Sequence, residues 1–370
     1  MKIDRHIRQT EFRSVKPDQR HRFHQQKTVV HAFPFASIKT SKSHPTRFLI
    51  RLLVLATPLW MTAPLNAQQT TSDPSVSQAA NAKDSFASAS ATDKSQTDAV
   101  ALLQIVLRQL VSGAAFDAKV RESVWTTGRE VIGVGTYEQA GENTGRFNLQ
   151  LTMHDGKGKH RLQQISDGRL VWTRSEISKA VKLRRVEVGK LEGWGPGATT
   201  NQPIPPRLQV GAWAEILSTL QRDYRVSIAS AKLKQKPVFV LSGQLREERR
   251  TAVLQESGRQ EWPLLYPTQM RIAVNAKPDT ETNFGLYLPV RIEFWSDPVA
   301  ESSGTTTGVT KSKRRLITLI ELYSIRPISE PSAERFRFEN VNVDFTNETD
   351  RYLKIHRAQL TQRLPEQKQR

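Results

Sequence analysis

The chain of 370 residues carries 55 Lys and Arg against 36 Asp and Glu, which gives a formal net charge of +19, and it contains no cysteine. The length allows one large domain or two ordinary ones. The lack of cysteine excludes disulfides, thiolate metal sites, a cysteine nucleophile and the acylated cysteine that anchors bacterial lipoproteins. The positive charge suggests nucleic acid, but residues 1–67 hold 12 of the basic and 3 of the acidic residues, so nearly half of the excess lies there.

The N-terminal segment 1–67 has the layout of a long n-region followed by a signal peptide. The apolar run IRLLVLATPLWMTAPL lies at 50–65, and its uncharged part from Leu52 onward is shorter than the roughly 20 residues that cross a bilayer. Ala67 supplies the small residue expected before a cleavage site. We therefore expect export to the periplasm or beyond after cleavage near Ala67, with an uncleaved inner-membrane signal anchor as the alternative.

Composition also sets the expected domain boundaries. Residues 68–96 consist largely of Ser, Thr, Ala and Gln with almost no large apolar side chain. Such a segment cannot bury enough surface to offset its chain entropy, which predicts a disordered linker. Periodic apolar segments occupy 97–356 and predict a single folded domain, and a polar tail follows at 357–370.

Two segments have the periodicity of helices. Thr97 and Asp98 form a candidate N-cap for the run AVALLQIVLRQLVSG, in which Leu103 and other apolar residues form a stripe. A second helix is predicted over 210–224, where Trp213 lies on the apolar side. The first stripe is broad, so that helix is expected to pack on more than one side.

Most of the remaining segments alternate as β-strands do. The clearest is RFNLQLTMH, in which every second residue is apolar. Strands are predicted at 118–125, 130–139, 146–154, 180–188, 224–229, 237–244, 268–275, 284–295 and 315–326. So many strands with so few helices predict an α+β fold, in which about two helices cover a large, curved antiparallel sheet.

A further hairpin is predicted at Asp167 and Gly168, between RLQQI and LVW. Asp-Gly between two β-prone runs is a strong signal for a tight turn. Trp172 is a large residue to follow so closely behind the turn. We expect it to lie either on the floor of a cavity on the concave side of the sheet or in the packing beneath a covering helix.

The predicted domain contains no recognisable catalytic, cofactor or metal constellation. Its histidines His154, His160 and His356 do not stand at ligand spacing, and HExxH and GxSxG are both absent. Gly133 and Gly135 lack the third glycine of a dinucleotide fingerprint, so they predict close strand packing or a bulge. We therefore predict no catalytic residue, no cofactor and no metal.

Two basic runs are candidates for surface contacts. KSKRR at 311–315 follows a Gly- and Thr-rich stretch and predicts a solvated hairpin tip, with peripheral contact to anionic lipid headgroups or to a partner as the alternative. The run at 246–250 mixes basic with acidic residues and predicts a solvated surface. Nucleic acid is not an expected partner, because the chain is exported and its basic segments are not interleaved with aromatic residues.

Several segments carry a resemblance to a known family. They are VRESVWTTGREVIGVGTYEQ at 120–139, GRFNLQL at 145–151, ISDGRLVWT at 165–173, LPVRIEFWS at 288–296, LIELYSI at 319–325 and ERFRFENVNVDFTNETDRYL at 334–353. Together they resemble the LolA/LolB-like superfamily of periplasmic lipoprotein carriers, and more closely its secreted members in planctomycete-type bacteria. The resemblance implies an open, incomplete β-barrel that holds acyl chains between sheet and helices and is not an enzyme. The chain is longer than those carriers, with 193–210 and 246–266 as extra stretches.

The function expected from these features is that of an exported, non-enzymatic protein that binds acyl chains or lipidated proteins in an apolar cavity, in the manner of lipoprotein sorting. Affinity would come from burial of about 0.8 kcal/mol for each methylene. The candidate lining residues are Phe147, Leu149, Leu151, Trp172, Phe294 and Trp295. The alternative is an envelope module of the same fold that binds protein partners and has no lipid cavity, and a filled interior would favour it.

Overall fold

The structure is a computed structural model that describes residues 96–126, 129–156, 158–177, 180–194, 204–297, 314–339 and 343–367. The predicted export segment and nearly all of the predicted linker lie outside these residues, as does most of the basic run at 311–315. None of the helices within the described residues is long and apolar enough to span a membrane.

The described part of the chain contains four α-helices and twelve strands. The helices are α1 (Gln96–Ser112), α2 (Ala212–Asp223), α3 (Glu247–Ser257) and α4 (Thr349–Gln367). The first six strands are β1 (Phe116–Thr126), β2 (Arg129–Gln139), β3 (Arg146–His154), β4 (Lys159–Asp167), β5 (Leu170–Ile177) and β6 (Ala180–Glu187). The remaining strands are β7 (Tyr224–Leu233), β8 (Lys236–Leu245), β9 (Gln269–Asn275), β10 (Pro289–Ser296), β11 (Arg315–Pro327) and β12 (Phe345–Asn347).

Within the described residues, all twelve strands belong to one sheet in the order β12-β6-β5-β4-β3-β2-β1-β11-β10-β9-β8-β7. Neighbouring strands are antiparallel, except that β12 pairs with β6 in parallel. The sheet does not close, because β12 and β7 form its two ends. The predicted fold, a large antiparallel open sheet with a few helices, is therefore confirmed.

Alternation along each strand separates the two faces of the sheet. In β3, Phe147, Leu149, Leu151 and Met153 are buried and the residues between them are more exposed. The register places these four opposite residues of β2 and β4 that are nearly all buried, some of them polar, which gives one continuous buried face. We call it the concave face, because it packs against α1 and α2 in a single core. The opposite face is the convex face.

Two glycines on β2 allow neighbouring strands to approach closely. A Cβ atom on Gly135 would lie 1.8 Å from the carbonyl oxygen of Gln150, and one on Gly133 would lie 2.6 Å from the side chain of Met153. The β2–β3 register runs through both glycines without a shift. Of the two alternatives that the sequence leaves open, close strand packing is therefore correct and a bulge is not.

The predicted hairpin at Asp167 and Gly168 is present between β4 and β5. The Asp167 Oδ1 atom accepts hydrogen bonds of 2.7 Å from the backbone N–H groups of both Arg169 and Leu170. Gly168 has a φ of +90°, a conformation that residues with a Cβ atom rarely adopt. The turn thus needs both residues: an aspartate to bond the loop backbone and a glycine to reverse the chain.

Both predicted helices pack on the concave face. The buried residues of α1 are Ala99, Leu102, Leu103, Val106, Leu107, Leu110 and Val111. Those of α2 are Ala212, Trp213, Ala214, Leu217, Ser218, Thr219, Leu220 and Asp223. The Gln104 Nε2 atom donates a hydrogen bond of 2.8 Å to Gln221 Oε1 and joins the two helices. One hydrophobic core joins the two helices to both halves of the sheet, which are the half from β12 to β1 and the half from β11 to β7.

The C-terminal segment covers the β6 end of the sheet. The backbone N–H of Glu348 donates to the carbonyl of Arg185 over 2.9 Å, and the N–H of Glu187 donates to Thr349 Oγ1 over 2.9 Å. The Asn347 Oδ1 atom accepts a hydrogen bond of 3.1 Å from the N–H of Thr349 and so caps the start of α4. These contacts hold β12 and the first turn of α4 against the edge strand.

Candidate functional site

A small cleft lies beneath α2, where the two halves of the sheet come together. On one side it is lined by Val171 of β5 and Val186 of β6, and on the other by Met270 of β9 and Phe294 of β10. Ile216 of α2 forms part of the roof. Strands from the two halves of the sheet face each other across this cleft, so the sheet must be strongly curved.

Polar side chains line the same cleft, and most of them bind one another. The Tyr352 hydroxyl of α4 donates to Glu215 Oε1 over 2.7 Å, and the N–H of Gly211 donates to Glu215 Oε2 over 2.8 Å. Gln164 Oε1 accepts a hydrogen bond of 2.9 Å from the N–H of Ala212. Both carboxylate oxygens of Glu215 are thus engaged by the protein itself.

Charged residues at the same cleft are also paired. Arg184 Nη1 lies 3.6 Å from Glu348 Oε1. At the far end of α2, Asp223 accepts a hydrogen bond of 2.8 Å from Arg222 Nε, and Arg249 Nε lies 3.6 Å from its other oxygen. The first pair joins β6 to the residue before α4, and the pair of Asp223 with Arg249 joins α2 to α3.

The two buried tyrosines of the cleft stay neutral. Burial raises the pKa of Tyr352 well above its ordinary value, and the neighbouring Glu215 carboxylate adds to this rise. Burial likewise raises the pKa of Tyr224, whose hydroxyl donates a hydrogen bond of 3.2 Å to the carbonyl of Pro267. Both hydroxyls therefore act as hydrogen-bond donors within the protein, and neither is suited to serve as a base near neutral pH.

The free space in the cleft is small. Its cavity volume is about 40 Å³, which holds on the order of three water molecules. The space that an open half-barrel would leave on its concave side is occupied by α1 and α2. In this conformation the cleft has no room for an acyl chain.

The six predicted lining residues lie in three different places. Phe294 lines the cleft. Phe147, Leu149 and Leu151 lie on the concave face but are core residues, and the Phe147 ring is so close to Gly211 that a Cβ atom there would lie 2.5 Å from it. These three are at most 7% exposed and do not line the cleft.

The two tryptophans of the predicted set lie on the convex face. Trp172 stacks on Phe338 with ring centroids 5.0 Å apart and meets Phe345 edge-on at 5.2 Å. Trp295 donates a hydrogen bond of 3.0 Å from Nε1 to Glu293 Oε2. The sheet itself separates both rings from the cleft, so Trp172 occupies neither of the two environments expected from the sequence.

Sequence patterns do not single out the polar residues of the cleft. Glu215 lies in a predicted helix, and Arg184 lies in a predicted strand. Glu348 and Tyr352 lie beyond the last strand that the sequence predicts. These residues meet only through the curvature of the sheet, and no local motif signals it.

Comparison with known proteins is limited to structure. No protein-family model matches the chain, and no curated protein matches it. A structure of the Pseudomonas aeruginosa MucA/MucB complex is similar over 67% of this chain and 64% of that chain, with 13% identity and a TM-score of 0.30. This chain therefore spans less than two thirds of the length of that relative.

Two further structures are matched over nearly their whole length. A LolA superfamily protein from Nitrosomonas europaea is 11% identical over 64% of this chain and 96% of that one, with a TM-score of 0.24. LprF from Mycobacterium bovis is 12% identical over 64% and 97%, with a TM-score of 0.30. The superfamily that the sequence motifs resemble is thus among the matched structures. All three TM-scores lie below 0.5.

Proposed function

We propose that this chain is an exported, non-enzymatic binding protein of LolA-like architecture that binds a protein partner at its surface and does not enclose an acyl chain. The observation that carries the proposal is the filled concave side. Two helices with seven and eight buried residues occupy it, and the cleft beneath α2 measures about 40 Å³. The export segment at 1–67 supports a location outside the cytosol.

Magnitudes disfavour an acyl chain in the interior. To admit one, α2 would have to move and expose eight buried residues, among them Trp213, Leu217 and Leu220. Exposure of these three alone costs about 5–9 kcal/mol, at about 1.5–3 kcal/mol for each. A chain of about 15 methylenes returns about 12 kcal/mol. For these three residues the net gain is about 3–7 kcal/mol, an affinity between millimolar and roughly 10 μM. Exposure of the other buried residues of α2 lowers it further.

The polar groups of the cleft support the same proposal. Glu215 is engaged on both oxygens, and Arg184 is paired with Glu348. The described residues contain no cluster of three or more His, Asp or Glu side chains arranged to hold a metal ion. The one hydroxyl described as bonded to a carboxylate in the cleft, that of Tyr352 on Glu215, is buried and its pKa is raised well above the ordinary value, which favours a structural role for this pair over a catalytic one.

Uptake of a fluorescent fatty acid by the purified chain tests the choice between the two ligand classes. We expect no saturable uptake at micromolar protein concentration. Trp213→Ala, which opens a cavity beneath α2, is the matched variant. If this variant takes up the fatty acid and the wild type does not, the Trp213 side chain fills the space that an acyl chain would need. Saturable micromolar uptake by the wild type would contradict the proposal.

Partner binding is tested in the bacterial envelope. We expect cross-linking of the chain in intact cells to yield one discrete protein adduct, and the purified partner to bind the purified chain in a fixed ratio. Recovery of lipid alone, without a protein that binds again in purified form, would contradict a protein partner.

The second candidate is an acyl chain bound after α2 has moved away. It is favoured by one observation: Val171, Val186, Met270 and Phe294 give the cleft an apolar floor. Fatty-acid uptake that is slow, saturable and abolished by Phe294→Asp would establish this candidate in place of the first.

A further inference from the structure

The strand β7 forms one end of the sheet and has an open edge. It pairs with β8 along its whole length, and no strand lies on its other side in the described part of the chain. The opposite end of the sheet is covered by β12 and the start of α4. An open strand edge of this length can accept a further strand, so what the edge presents matters.

The turn after β7 determines which backbone groups point outward. Lys234 and Gln235 form a two-residue turn with φ values of 48° and 66°, as in a type I′ hairpin. The flanking pair, Leu233 and Lys236, then exchanges both hydrogen bonds, and alternate pairs do the same along the ladder. The residues between them therefore direct their N–H and C=O groups to the open edge. These residues are Val226, Ile228, Ser230 and Lys232.

Pro237 supports this assignment. It lies opposite Lys232, and a proline has no N–H to contribute to the ladder, so it fits only a pair that does not exchange hydrogen bonds. The outward N–H and C=O groups thus recur at every second residue, which is the pattern that an added antiparallel strand requires. They are accessible toward the turn, where Ser230 and Lys232 are exposed, whereas Val226 is only 5% exposed.

The edge is basic. The hairpin from Tyr224 to Leu245 contains Arg225, Lys232, Lys234 and Lys236 and no Asp or Glu. Lys234 lies 3.7 Å from Glu321, and Lys236 lies 3.2 Å from Asp279. Arg225 and Lys232 are exposed and have no ion-pair partner among the described residues. Two uncompensated positive charges thus flank the outward backbone groups.

These charges indicate which kind of strand can bind at the β7 edge. Arg225 lies on one face of the strand and Lys232 on the other, so an added strand with acidic side chains is attracted on either face and one with basic side chains is repelled. We propose that the β7 edge binds an extended, acidic segment of a protein partner as an additional antiparallel strand. The proposal rests on the proposed function, because it specifies where and how a protein partner binds.

Fluorescence anisotropy with labelled ten-residue peptides of alternating Glu and Val tests the edge. We expect the acidic peptide to bind the full chain at least tenfold more tightly than the same peptide with Lys in place of Glu, and 0.5 M salt to weaken that preference. The acidic peptide with alternate backbone nitrogens methylated should lose at least tenfold in affinity, because it cannot donate to the edge. Equal binding of the acidic and basic peptides, or indifference to methylation, would overturn the proposal.

Variants of the chain give a second readout that does not depend on a fold-disrupting change. The double variant Arg225→Glu, Lys232→Glu should weaken acidic-peptide binding at least fivefold and reverse the charge preference. Lys182→Glu, at an exposed lysine of β6 near the other end of the strand order, is the matched control and should bind as the wild type does. Two outcomes would contradict an acidic peptide as the ligand of the β7 edge. One is that the wild type dimerises and the double variant does not. The other is that the chain binds anionic vesicles and does not bind the peptide.

The two proposals fail in different ways. A cross-linked envelope partner that the double variant retains with full affinity would overturn the β7 edge and leave surface binding of a protein intact. Micromolar fatty-acid uptake by the wild type would overturn the proposed function while the peptide measurements still stand on their own.

Discussion

Two tryptophans show how differently similar residues are used in this molecule. Trp213 of α2 is 1% exposed and meets the Tyr137 ring edge-on at 5.5 Å on the concave side. Trp172 of β5 is partly exposed on the convex side and stacks on Phe338. One ring fills the interior, and the other holds the C-terminal segment against the outside of the sheet.

The two rings should therefore differ in their contribution to stability. We expect Trp213→Ala to lower the free energy of unfolding by about 3–5 kcal/mol, since it empties a fully buried site. Trp172→Ala should cost about 1–2 kcal/mol, mostly from the lost aromatic contacts. Urea denaturation followed by circular dichroism measures both. Equal losses would contradict the placement of the two rings on opposite faces.

Glu122 is a second residue whose role depends on burial. It lies on the concave face of β1, is 1% exposed and pairs in register with Gly133 and Ile320. Its Oε2 atom has no hydrogen-bond partner among the described residues. Burial raises its pKa from 4.5 to about 8, so the folded protein holds this carboxyl protonated near neutral pH.

Because the folded pKa lies above the unfolded one, folding binds a proton between these two values and stability falls as pH rises. We expect the free energy of unfolding to drop by about 3–4 kcal/mol between pH 5 and pH 8, at about 1.4 kcal/mol for each pH unit. Glu122→Gln should remove this drop and be more stable than the wild type at pH 8. Denaturation at pH 5, 6.5 and 8 measures it.

The control for this prediction is Glu130→Gln, at an exposed position near the start of β2. It should leave the difference between pH 5 and pH 8 as in the wild type. A Glu122→Gln protein with the same pH dependence as the wild type would show that Glu122 is not buried as an acid.

At the scale of elements, the strands of the sheet could be predicted from the sequence. How completely the helices fill its concave face could not. Alternation of apolar residues located β1 to β3 and β6 to β11 to within two residues of their ends, except for the end of β7 (229 predicted, 233 observed) and the start of β10 (284 predicted, 289 observed). A strand with one buried face repeats every second residue. The same pattern cannot say what packs on that face. Whether helices fill the concave side or leave it hollow depends on volumes and not on periodicity.

Three elements could not be predicted for identifiable physical reasons. In α3 only Val253 is buried, so the helix has no apolar stripe to signal it. β12 spans only Phe345–Asn347, and its partner β6 lies far away in the sequence. α4 runs on to Gln367, past residue 356 where the sequence predicts the domain to end.

Close approach of β2 and β3 is a property of these elements that a substitution can test. Gly135→Ala places a methyl group against the carbonyl of Gln150, which is backbone and can yield only if the strands separate. We expect a loss of several kcal/mol, seen as a fall of the melting temperature by roughly 5–10 °C. Gly189→Ala, where a Cβ atom meets nothing within 4 Å, is the control and should melt as the wild type does. An unchanged Gly135→Ala protein would contradict the close packing.

At the scale of the whole molecule, two helices cover the concave face of one curved, open sheet and fill the space that the sheet leaves there. The sheet ends at β7 on one side and at β12 on the other, and the core runs from α1 and α2 to strands in both halves. The side chains between the helices and the sheet therefore stabilise the fold. The proposed site of recognition is the surface, at the basic edge of β7.

Native mass spectrometry of the chain, purified from a bacterial envelope without any delipidation step, tests the filled interior most directly. We expect the mass of the polypeptide alone, because about 40 Å³ of free space excludes a chain of methylenes. A stoichiometric adduct with the mass of a fatty acid or a phospholipid, lost on Phe294→Asp substitution, would contradict it.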